Sequence, residues 1–267
     1  MTRSHVKFKP MRGLTLLALI VVLVPAACGG SEEAAPSTTG GGEPAEPAAP
    51  PLPQGAEPAN LDPADFVATI DNQYWPMAQG SRWVYKETDG EGNVQRVEVT
   101  VTPKTKTILG IQATVVHDIV TEEGNVIEDT YDWYAQDRWG NIWYLGEDTK
   151  EYDGTEVSTK GSWEAGVDGA EAGVVVPAAP EVGLAYRQEY YAGEAEDEGE
   201  VLSVDERAEV PFGSYTGVLM TRDTTPLEPE LVEHKFYAKD VGPVLAVTVS
   251  GGTDREELVS FEPGGAG

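Results

Sequence analysis

The chain has 267 residues, with 46 Asp and Glu against 18 Lys and Arg, for a formal charge of −28 at neutral pH. A surface so acidic is repelled by nucleic acid and by anionic lipid head groups, which excludes both as partners. A single cysteine excludes any internal disulfide framework.

Arg3, Lys7, Lys9 and Arg12 precede an eleven-residue apolar run, Leu14 to Val24, and small residues then lead to Cys28. That is the three-part layout of a secretory signal over residues 1–27. The run is well short of the ~20 residues a membrane-spanning helix needs, so it is not expected to persist as an anchor. Losing its four basic residues takes the charge to −32. Val24-Pro-Ala-Ala-Cys28-Gly29 resembles the bacterial lipoprotein box, with Pro25 where that family usually has leucine. The resemblance implies lipidation of Cys28, anchorage to the membrane through acyl chains and an extracytoplasmic location. Cleavage after Ala27 to a soluble secreted product is the alternative. A lone cysteine in an exported protein has no internal partner, and lipid attachment gives it a purpose.

Residues 28–60 are Pro, Gly, Glu, Ala and Ser with Leu52 as the one large apolar residue, a composition that predicts a disordered tether. Asp62-Pro63 reads as a helix N-cap with proline at the first position, followed by a turn or two to Ala68. A β domain is expected over 61–263. Its alternation places Trp83 and Tyr85 on one face, and Val97, Val99 and Val101 on one face of the next segment. Turn signals at Asp89 to Asn93, Glu122 to Asn125, Arg138 to Asn141 and Asp153-Gly154 divide the run into hairpins.

Trp133 and Phe236, Tyr134 and Tyr237, and Asp137 and Asp240 lie 103 positions apart, as do Gly80 and Gly183, Trp83 and Tyr186, and Val101 and Val204. Matches at one offset over such a span predict two tandem repeats, about 72–165 and 176–262, of about six strands each. The fold class is therefore all-β: an antiparallel meander of about twelve strands forming one barrel, half-barrel or two-sheet sandwich. Trp163 is expected to close the last strand of the first repeat.

Tyr74-Trp-Pro76, Gly80 and Trp83-Val-Tyr85 resemble the opening motif of a family of exported bacterial β-proteins of unknown function, over most of residues 72–262. A looser analogy runs to the half-barrels of lipoprotein carriers, which hold acyl chains against a concave face. By that analogy the partner is an apolar small ligand or an envelope protein.

Catalytic, metal and cofactor residues are not expected. The chain has no Gly-x-Ser-x-Gly, no phosphate loop, and only His117 and His234 beyond the signal. The carboxylate runs Glu194 to Glu200, and Glu128-Asp129 with Asp132, read as solvated loops in preference to a calcium site. Among the tryptophans, Trp139 and Trp143 are the expected exposed aromatics. The sequence thus points to a lipid-anchored, non-catalytic binding protein. The alternatives are an interaction protein with a filled core and, more distantly, a secreted hydrolase using paired carboxylates.

Overall fold

The computed structural model of the protein describes residues 49–265, so the signal segment and Cys28 lie outside the described residues. The strands are β1 (Phe66–Val67), β2 (Arg82–Thr88), β3 (Val94–Ile108), β4 (Ile111–Glu122), β5 (Asn125–Asp137), β6 (Ile142–Asp153), β7 (Glu156–Ser158) and β8 (Trp163–Glu164). They continue with β9 (Glu171–Val176), β10 (Ala185–Arg187), β11 (Glu189–Tyr190), β12 (Glu198–Val210), β13 (Gly213–Thr224), β14 (Val232–Ala238), β15 (Gly242–Ser250) and β16 (Arg255–Glu262).

Thirteen of these follow one another in a single ladder, β10-β12-β13-β14-β15-β16-β2-β3-β4-β5-β6-β9-β11. Short β1 pairs with β5, and β7 and β8 pair with β6. Only Gln188 separates β10 from β11, so both ends of the ladder meet in one stretch of chain. That stretch bonds β12 on one side and β9 on the other. The result is an antiparallel, nearly closed barrel. The pairing of β16 with β2 joins the two halves laterally, so neither a sandwich nor a half-barrel forms.

Local chemistry explains the turns. At Asp137–Asn141 the Asp137 carboxylate accepts from the backbone N–H groups of Trp139, Gly140 and Asn141, from Asn141 Nδ2 and from Trp143 Nε1 at 2.8–3.0 Å. One side chain thus satisfies the whole turn. Gly146 is required where β8 crosses β6, because a Cβ there would sit 2.2 Å from Trp163 O. The N-cap at Asp62 is present, with Oδ1 accepting from Ala64 N at 2.9 Å. The helix is a single 3-10 turn, Pro63–Asp65, because Phe66 and Val67 are taken up in pairing with Asp137 and Gln136.

The chain joins the barrel earlier than residue 61, which corrects the tether boundary. Arg187 N donates to Pro53 O at 2.8 Å, Gln54 Nε2 to Ala185 O at 2.7 Å, and Ala59 N to Glu171 Oε2 at 2.9 Å. Leu52 packs against the core.

The ends of β3 and β4 follow the 103 offset, landing within one residue of β12 and β13, whereas β5 moved by the same number starts four residues before β14. Side chains agree at Tyr134 and Tyr237, which both line the interior. They disagree at Val101 and Val204, which are 2% and 37% exposed. Val101 exchanges hydrogen bonds with Gly80 and Ser81, and the residue that does so with Gly183 and Leu184 is Val201. Successive register shifts in the β12–β13 pair, between Val201 and Arg207, absorb the difference. Two meanders of equal size can share strand ends without a common origin, so the duplication rests on the sequence offset.

Candidate functional site

Side chains do not fill the barrel. They leave a cavity of about 310 Å³ along its axis. Alternation decides what faces it, since every second residue of a strand points inward. Strand β2 contributes Tyr85 and Glu87, β3 contributes Gln95, Val97 and Val99, and β4 contributes Val116, Asp118 and Val120. From β5 come Glu128, Thr130, Asp132 and Tyr134, and from β14 come Glu233, Lys235 and Tyr237.

An aromatic chain forms part of the wall. Trp75 lies 5.3 Å from Tyr134, Tyr134 stacks on Tyr144 at 4.9 Å, and Tyr144 meets Trp163 edge-on at 5.3 Å. Trp75 is carried in by the 70–77 segment. There Gln136 Oε1 accepts from the N–H groups of Asp71 and Asn72 at 2.8 Å, and Asn72 Oδ1 accepts from Tyr74 N at 2.8 Å. Gly242 lets the Trp75 ring approach: its φ is +109°, and a Cβ there would meet Trp75 Cδ1 at 2.7 Å.

Carboxylates dominate the polar lining, and several stand directly opposite one another across neighbouring strands. Glu87 opposes Glu256, Asp132 opposes Glu147, and Asp223 opposes Glu233, and all six line the cavity. Like charges placed so destabilise a sheet unless something neutralises them. At the third pair Lys235 does this, with Nζ 2.9 Å from Asp223 Oδ2 and 3.6 Å from Glu233 Oε2. Among the described residues no lysine or arginine forms an ion pair with the other two pairs.

The electrostatics follow from this crowding. Burial and then Asp254, Glu233, Glu128 and Asp89 push the Glu87 carboxyl up to about 8. Burial raises Asp132 to about 7, against the stabilising hydrogen bond from Tyr144 Oη at 2.8 Å. Burial and the Asp132 charge hold Glu147 well above the ordinary carboxyl range, and burial and Glu87 do the same for Glu256. Asp118 is pushed well up by burial, then by Asp132, Glu128, Glu256 and Glu87, and its Oδ1 has no hydrogen-bond partner. Lys235 is penalised by burial, but Asp223 and Glu233 outweigh this and keep it charged.

The expectations for individual residues divide. Trp83 and Tyr85 are buried on one face as read from the sequence, and Trp163 pairs with Glu147 at the edge of β6. Trp143 is not an exposed aromatic: it is 6% exposed, held by Asp137 and packed on Phe66. Trp139 is half-buried under the Arg138 guanidinium, 4.6 Å from its ring. His117 stacks on Tyr131 at 4.2 Å and pairs with Asp129 at 2.8 Å, and neither His117 nor His234 lines the cavity. The solvated-loop reading holds for Glu194, which is exposed in a turn, whereas Glu198 is exposed but opens β12. It fails for Glu128 and Asp132, which strand alternation turns into the lumen, and for Asp197, which lines it from just before β12. Among the described residues no three His, Cys, Asp or Glu converge as metal ligands.

No protein-family model matches the chain, and no curated protein matches it. Two solved structures are similar. A presumed lipoprotein from Parabacteroides distasonis, 14% identical, covers 72% of this chain and 99% of its own with a TM-score of 0.44. A presumed exported protein with a YmcC-like fold from Bacteroides fragilis, 12% identical, covers 72% and 100% with a TM-score of 0.40. Likeness of this size speaks to neither site nor activity.

Proposed function

We propose that the protein is a lipid-anchored, extracytoplasmic binding protein that holds a small ligand in the barrel lumen without transforming it. One observation carries the reading: a cavity of about 310 Å³ with valine and tyrosine walls and inward carboxylates, in place of a filled core. Small-molecule sites begin near ~300 Å³ and combine apolar walls with a few convergent polar groups. The cavity disfavours the rival reading of a packed interaction module.

Convergent carboxylates in a cleft are also what a glycoside hydrolase uses. That chemistry needs one carboxyl held protonated and its partner ionised. Here burial pushes up both members of each facing pair, Asp132 with Glu147 and Glu87 with Glu256, so neither pair shows the opposed shifts, one raised and one held down, that mark such an acid and its partner. Binding is therefore favoured over hydrolysis.

Two experiments test the reading. Native mass spectrometry of the full chain, released from membranes in detergent, should show a bound small molecule. Neutral Nile red should enter the lumen of ligand-stripped protein and quench tryptophan emission. A chain that carries no ligand and excludes the dye, or one that cleaves glycosides and loses this in Glu87→Gln, would overturn it. For the anchor, Cys28→Ala is expected to move the protein from the membrane fraction to the soluble one, because two acyl chains give stable attachment. Unchanged detergent-phase partitioning would refute lipidation.

A further inference from the structure

Among the described residues one ammonium, that of Lys235, lines the lumen, and its placement shows what the lining accepts. Lys235 Nζ lies between Asp223 and Glu233, a carboxylate pair set face to face by the β13–β14 register. The β16–β2 register makes an equivalent pair of Glu87 and Glu256, and the β5–β6 register another of Asp132 and Glu147. Neither has a lysine or arginine in ion-pair contact among the described residues, although Lys235 also acts on Glu256 at longer range. On β4 Asp118 also lines the cavity and interacts electrostatically with members of both pairs, and its buried Oδ1 has no hydrogen-bond partner. These groups are spread along the wall and do not converge on one point, the arrangement of a site for several separated positive charges and not for one metal ion. Val97, Val99 and Val116 lie along the same wall and suit a chain of methylenes between the charges.

Resting on the reading of the lumen as a ligand site, we propose that its ligand is an aliphatic polyamine. Its ammonium groups bridge Glu87 with Glu256 and Asp132 with Glu147, as Lys235 bridges Asp223 with Glu233, and an intervening ammonium donates to Asp118. Tyr134 and Tyr144, beside Asp132, add ring faces that attract the same charges.

Calorimetric titration of the full chain with spermidine at pH 7.5 tests this, with n-butylamine and calcium chloride as comparison titrants. Spermidine should bind once per chain, at least a hundredfold more tightly than butylamine, which satisfies only one carboxylate pair. Glu256→Gln and Glu147→Gln should each weaken spermidine at least tenfold, and the exposed Glu194→Gln should leave it within twofold. Equal affinity for spermidine and butylamine, tighter binding of calcium, or an equal loss in Glu194→Gln would overturn the proposal. The butylamine comparison uses no variant, so it decides even if a substitution prevents folding. Nile red separates the two levels. Dye that enters the lumen but is not displaced by spermidine refutes the polyamine and leaves the ligand site standing, whereas exclusion of both refutes both.

Discussion

Glu87→Gln should stabilise the protein at alkaline pH and leave it almost unchanged in mild acid. Glu87 is 7% exposed, and its carboxyl is raised from 4.5 to about 8 by burial first and then by neighbouring carboxylates. The folded state therefore binds this proton more tightly than the unfolded state. Stability from this group is full below about 4.5 and is lost as pH rises through about 8. The raised value corresponds to about 5 kcal/mol at ~1.4 kcal/mol per tenfold, and screening by solvent reduces that to about 2–4 kcal/mol. Glutamine keeps the shape and stays neutral, so at pH 8.5 its melting temperature should exceed the wild type's by ~5–10 °C. At pH 5, where the wild-type group is protonated, the two should agree within about 2 °C. Scanning calorimetry at pH 5, 7 and 8.5, at fixed ionic strength and without polyamine, measures this. The Arg-bound Glu98, held down to about 2 chiefly by its hydrogen bond to Arg82, loses its contribution only below that window. An offset equal at pH 5 and 8.5, or no gain at 8.5, would refute the account of a proton-holding lumen.

Two further substitutions probe the fold. Trp133→Ala removes a buried ring on the outer face of β5, roofed by Lys106 Nζ at 3.1 Å from its centroid, and should cost ~3 kcal/mol. Phe236→Ala, half-buried on β14, should cost ~1–2 kcal/mol, and both should lower one and the same calorimetric transition; two transitions responding separately would mean that the halves fold as separate domains. Gly242→Ala imposes a side chain at φ +109° and against Trp75, so the urea midpoint should fall by the equivalent of about 2 kcal/mol or more. An unchanged midpoint would show that Trp75 is free to move aside.

Much of the barrel was legible in period-two alternation and turn chemistry. Trp83 and Tyr85 share a face, and the Arg138–Asn141 turn joins β5 to β6 as expected. Ring closure was not, because pairing β16 with β2 is a long-range contact that no local pattern encodes. The lumen was missed for a more instructive reason. An inward carboxylate reads, residue by residue, like an outward one, and the chain is rich in both. The signal was the company it keeps: Glu87 follows Tyr85 on one face, Asp132 precedes Tyr134, and Lys235 precedes Tyr237. A charged residue two places from a buried aromatic, repeated on three strands, marks a wall facing an interior and not a surface. The 103 offset fails at Val204, because bulges in β12 let side-chain phase drift while the ends of that strand stay aligned with those of β3.

The neighbour of β2 on its free side is the final strand, 167 to 180 positions away along the chain. Contacts of that separation form late, since loop closure must be met before they contribute. Until β16 arrives, β2 is an unpaired edge presenting Trp83 and Tyr85, the kind of edge on which other chains template. A nascent copy is therefore exposed to aggregation until the eight residues of β16 emerge. Shortening the C-terminus by that one strand should convert the barrel wall into a site of polymerisation.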